Sequence, residues 1–136
     1  MSQVVITAGP FTMTAVFEAH APLTGAAIRK ILPLEKQLIH VRWSGEATWI
    51  PLGDLALDVP FENATSYPSP GEVLLYPGGV SETEILIAYG RTNFASMAGQ
   101  LAGNHFLTIV TGREHLGELG RLTLWNGAQP VAIKMP

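Results

Sequence analysis

The sequence contains no cysteine. That excludes disulfide staples, thiolate nucleophiles and cysteine-ligated metal centres, and it agrees with a reducing compartment. Charge is also scarce. Only 14% of residues are charged, against about 25% in ordinary soluble domains. The eight Lys plus Arg form no basic run, and the formal net charge is −3. Nucleic-acid binders gather basic residues on one face, so that class loses its support. No apolar run approaches the roughly 20 residues of a membrane-spanning helix. The opening "MSQVVITAGPF" lacks the basic and long apolar regions of a secretory leader, and the expected location is cytoplasmic. Without such a leader, the sequon at Asn63 to Thr65 reads as a chance match.

Apolar residues, by contrast, make up 47% of the chain. A large core, an apolar pocket or a subunit interface would each absorb them, and we expect a homo-oligomer. The 136 residues fit one domain, 1–136. G-x-S-x-G, P-loop, G-x-G-x-x-G and H-E-x-x-H patterns are missing. A serine hydrolase, a nucleotide cofactor and a zinc protease therefore lose their usual signals, and we expect neither cofactor nor metal. His115 and Glu118, three apart on an expected helix, supply half of a metal site at most.

Strand patterns dominate. "QVVIT" and "FTMTAVFE" flank an "AGP" turn, and alternation puts Phe11, Met13, Ala15 and Phe17 on one face. A helix is expected over "APLTGAAIRKI", with Thr24 as cap and Pro33 as stop. "KQLIHVRW", a turn at "SGE" and "ATWIPL" read as a hairpin, with Trp43 and Trp49 as a cross-strand pair. Residues 53–70 carry three prolines and read as a long loop. "EVLLYP", "ETEILIAYG", "HFLTIV" and "PVAIKM" are further strands, with Ile85, Ile87 and Tyr89 sharing a face. "TNFASMAGQLAGN" reads as a loop or one short helix, and "REHLGELGRL" as a helix. About eight strands and two short helices, without regular alternation, point to a mainly β, closed antiparallel barrel.

The stretches "GEVLLYPGG", "EILIAYG" and "FASMAGQLAGNHF" resemble a small bacterial family of unknown function with a cyclophilin-like barrel. The resemblance covers nearly the whole chain and includes "ILP" and "RWSGEATW". Cucumopine and mikimopine synthases, plant-tumour opine enzymes, resemble the same family. They condense histidine with 2-oxoglutarate without a redox cofactor, by Pictet–Spengler-type ring closure. The resemblance thus implies a cyclophilin-like fold and a possible cofactor-free condensation chemistry. Prolyl isomerases of that fold place an Arg close to "FMxQGG". Here Arg91, Phe94, Met97 and Gln100 have different spacing, so the isomerase pattern is absent.

The candidate site centres on residues 89–106, where polar groups sit between two apolar strands. Arg91, with Arg42, would serve as a guanidinium clamp for the carboxylate of a small ligand. His105 or Glu72 would move protons, and Tyr76 would orient or donate. Asn93, Asn104, Phe94, Tyr89 and Tyr67 would complete the binding surface. Each has a structural alternative: a surface arginine, a satisfied histidine, a solvated glutamate, or tyrosines packed in a loop. His40 and Arg42 equally suit the polar outer face of a strand. This assignment of the active site requires Arg91, Asn104 and His105 to meet around one concavity at a barrel end. The competing reading is a non-catalytic metabolite- or peptide-binding module, or an accessory subunit.

Overall fold

In a computed structural model, which describes residues 2–136, the alternating apolar segments close into a barrel. Its chain order is β1 (Gln3–Ala8), β2 (Phe11–Phe17), α1 (Pro22–Ile31), β3 (Leu34–His40) and β4 (Gly45–Gly53). There follow β5 (Ala64–Thr65), β6 (Glu72–Tyr76), β7 (Thr83–Thr92), β8 (Ala95–Ser96) and β9 (Gly99–Gln100). The last elements are β10 (Gly103–Thr111), α2 (Leu116–Asn126) and β11 (Gln129–Lys134). Eight antiparallel strands run in the order β2, β1, β11, β3, β4, β7, β6, β10, and β10 pairs back onto β2 to close the ring. Closure leaves no long free edge. The expected closed antiparallel barrel with two helices is what the chain forms.

The interior is filled by side chains of one strand phase. Val4, Ile6, Met13, Ile50, Val73, Leu75, Ile85, Ile87 and Ile109 are all fully buried there. Each such aliphatic contributes about 1.5–3 kcal/mol on burial. The helices add to the same core: α1 through Ile28, and α2 through Leu116 and Leu119. Among the described residues, no helix is long and apolar enough to cross a membrane.

Helix α1 starts at Pro22, whose missing N–H costs nothing in the first turn. Thr24 does not cap it. Thr24 lies inside the first turn, and its backbone N–H and hydroxyl both donate to Glu62 Oε2, at 2.6 and 2.7 Å. A carboxylate from a distant loop thus satisfies the positive end of the helix. Leu32 is already extended, as the residue before a proline prefers.

Three local expectations are corrected. Strand β3 ends at His40, and Arg42–Ser44 form a 3-10 turn, so His40 and Arg42 do not share a strand face. Trp49 consequently pairs with Ile39, not with Trp43, which stands exposed in the turn. The glycine-bearing segment after β7 is neither loop nor helix: β8 and β9 pair as a small separate hairpin.

Candidate functional site

That hairpin explains why polar and aromatic residues crowd between two core strands. It folds back over the outer wall of the barrel. On β7, Leu86 and Ala88 point outward yet are fully buried. Leu86 is covered, with Leu74 and Tyr76 of β6 and Ala47 and Trp49 of β4, by Phe94, Leu101 and Val41. The cover is fixed at its base: Phe94 N–H donates to Ser66 O at 2.7 Å. Ser44 Oγ donates to Ala95 O and accepts from Ala95 N, both at 3.0 Å. Phe94 meets the Tyr76 ring edge-on at 6.0 Å, a favoured aromatic geometry.

Glu84 lies in the same outward phase, two residues before Leu86. It is 4% exposed and looks into a pocket of about 310 Å³ lined by Val41, Trp43, Trp49, Val80 and Met97. Among the described residues no cation pairs with it. Burial, and secondarily the nearby charge of Glu82, pushes its carboxyl up to about 7, because desolvation penalises the charged form. The rim is held by Tyr76, whose phenol oxygen accepts from Val80 N at 2.9 Å and Ser81 N at 3.3 Å. A carboxyl balanced near neutrality inside an apolar, tryptophan-walled pocket is equipped to give and take protons. A larger depression of about 660 Å³ lies over β1, β11 and β3, but its Glu35 and Lys36 are exposed.

Residues singled out from the sequence fall into separate places. Arg91, Asn104 and His105 do not meet around one concavity. Arg42, Arg91 and Asn93 line a second depression, of about 500 Å³, which shares only Trp43 with the Glu84 pocket. Phe94 and Tyr76 lie beneath the cover hairpin. Asn104 is fully buried: its amide donates to Thr24 Oγ1 and Pro60 O, and its Oδ1 accepts from Glu62 N. It pins the long loop to α1. Tyr67 is exposed and accepts from Gln100 Nε2, which also donates to Asn93 Oδ1.

His105 and Glu72 belong to a third group on the outer wall. A bulge in β10 between His105 and Leu107 turns both Phe106 and Leu107 inward. His105 and Thr108 thereby fall on one face, although three residues apart. His105 Nε2 and Thr108 Oγ1 are hydrogen-bonded at 2.7 Å, and Thr108 donates to Glu18 Oε2 at 2.6 Å. Glu72 Oε2 stands 4.0 Å from His105 Nδ1, while its Oε1 accepts from Ser69 N. None of these atoms lines the Glu84 pocket.

Tyr89 faces the interior, as expected, and its hydroxyl meets His40 Nε2 at 2.7 Å under α2. Burial raises its pKa, reinforced by Glu46 and opposed by Arg121. Burial lowers that of His40, helped by Arg42 and opposed by Glu46. His115 is stacked on Phe11 at 4.9 Å, and its pairing is with Glu114.

Glu84 escaped notice in the sequence, although a signal was there. The run "ILIA" after it is apolar on both strand phases, the mark of a strand buried on both faces. A glutamate heading such a run is enclosed.

A family model described as a protein of unknown function, DUF3830, matches residues 5–135. The chain belongs to the DUF3830 family. No curated protein matches the sequence. Among solved structures, one described as McbB in complex with tryptophan superposes with a TM-score of 0.69 at 17% identity. That match covers 96% of this chain and 44% of the other, so this DUF3830 chain spans less than half of McbB. The hypothetical protein AF2241 from Archaeoglobus fulgidus superposes with a TM-score of 0.63 at 17% identity, over 99% of this chain and 95% of that one. At such identities the likeness concerns the fold.

Proposed function

We propose that this DUF3830 protein is a cofactor-independent acid–base enzyme acting on a small aromatic amine, with Glu84 as its proton carrier. One observation carries the reading: a buried, unpaired carboxyl raised to about 7 at the wall of an apolar pocket with two tryptophans. Such a group is half-protonated at neutral pH and works as base or acid without assistance. The pocket lining holds no cation, so the ligand group nearest Glu84 is a proton donor, an amine or ammonium. The indoles of Trp43 and Trp49 suit an aromatic ring or the cation itself.

The chemistry that fits is condensation of the amine with an oxo compound. An imine forms with loss of water, and ring closure of the Pictet–Spengler type then releases a carbon-bound proton to Glu84. The resemblance to the opine synthases and the tryptophan named for McbB support this choice. A carboxylate clamp at Arg91 does not serve a small ligand at Glu84. Seven strand steps along β7 separate their Cα atoms, about 23 Å at the usual strand rise.

The test is incubation of the protein with tryptamine, tryptophan or histidine, each paired with an oxo acid, followed by mass spectrometry. A product equal to the sum of the pair less one water, formed by wild type and lost in Glu84→Gln, supports the enzyme. Saturable amine binding without product points instead to a binding module. That second reading is favoured by the exposed apolar rim of Trp43, Val80 and Met97.

A further inference from the structure

We propose that the depression between the Arg42–Ser44 turn and the end of β7 is a separate binding site for a small oxyanion, a carboxylate or a phosphate. It does not depend on the reading of Glu84. The chain has five arginines among eight basic residues and a net charge of −3. Two of those five, Arg42 and Arg91, line this one depression.

Two of the other three arginines are occupied. Arg29 lies over the Phe17 ring at 3.9 Å, and Arg113 donates to Ile109 O and Pro70 O. Among the described residues, neither Arg42 nor Arg91 has a carboxylate within ion-pair distance. Glu46, the neighbouring acid, turns Oε1 to the backbone N–H of Arg91 at 2.8 Å and is not part of the lining. Two arginines without an ion-pair partner at one depression supply the donors that an oxyanion accepts from.

The platform beneath them is fixed by backbone contacts. Asn93 N–H donates to Ser44 O at 3.0 Å, and Thr92 Oγ1 donates to Glu46 O at 3.0 Å. Gly45 adopts φ 94°, and a Cβ there would stand 2.8 Å from Arg91 O. Only glycine lets the turn approach the end of β7 this closely. Asn93 Oδ1 is taken by Gln100, and Asn93 lines the same depression. Trp43 forms a wall of this site and of the Glu84 pocket, so it reports on both.

The experiment titrates the protein with malonate and, separately, with inorganic phosphate, following tryptophan fluorescence and heat at low ionic strength. Wild type is expected to bind at least one of the two saturably, with affinity that falls as salt is added. The better-bound anion identifies the ligand class. Arg42→Ala and Arg91→Ala should each weaken binding at least tenfold, while Glu84→Gln leaves it unchanged. Absence of saturable binding of both anions would overturn the proposal. So would equal affinity in the arginine variants, or loss of anion binding in Glu84→Gln alone. Amine binding that persists in the arginine variants separates the two sites.

Discussion

The phenol oxygen of Tyr76 accepts hydrogen bonds from the backbone of Val80 and Ser81, so a residue of the barrel wall holds the rim of the Glu84 pocket. Tyr76→Phe keeps the ring against Phe94 and removes only those bonds. We expect a loss of about 1 kcal/mol in stability, read by denaturant unfolding. We also expect weaker amine binding with little change in the rate of any chemical step. A variant as stable as wild type and unaltered in binding would remove Tyr76 from this role.

Glu84 makes stability depend on pH with a definite sign. Its folded pKa, about 7, lies above its ordinary value of 4.5. The unfolded chain therefore ionises it first, and stability falls as pH rises from about 4.5 to about 7. A shift of that size corresponds to on the order of 3 kcal/mol. Glu84→Gln should flatten this slope and be more stable than wild type at about pH 8. Unfolding curves at about pH 5 and about pH 8 decide it; parallel behaviour of the two proteins contradicts the assignment.

Asn104 joins three segments from a fully buried position. Asn104→Ala strands Glu62 N–H and the Thr24 hydroxyl's partner site, and should cost about 2–4 kcal/mol. Thermal unfolding measures the loss. Amine binding by the folded fraction should persist, which distinguishes a structural tie from a ligand contact.

Helix α2 approaches β7 at Gly120, where a Cβ would collide with the Tyr89 ring. Gly120→Ala gains helix propensity but overpacks this contact. A net loss of about 1–3 kcal/mol is expected, together with disturbance of the His40–Tyr89 hydrogen bond. An unchanged melting temperature would show that α2 sits further from the barrel.

How much of this was legible beforehand differs from residue to residue. The barrel was, because strand alternation such as Ile85, Ile87, Tyr89 is a local pattern that burial enforces. The helix stop before Pro33 was legible for the same reason. The position of Asn104 was not. "GNHF" begins β10, and nothing nearby signals that Thr24, 80 residues away, awaits its amide. The pairing of His105 with Thr108 was hidden by a bulge, which breaks the two-residue period without a distinctive sequence. The cover hairpin reads as loop or helix in the sequence, because two-residue strands carry almost no periodic signal. The outer-wall pocket, which exists only through that cover, was missed with it.

The most direct test of the central claim is a carbon-detected NMR titration of the Glu84 carboxyl, alone and with tryptamine. The account predicts a midpoint near 7 in the free protein, moved downward when the ammonium binds beside the carboxylate. A midpoint near 4.5 that tryptamine leaves unmoved would contradict it.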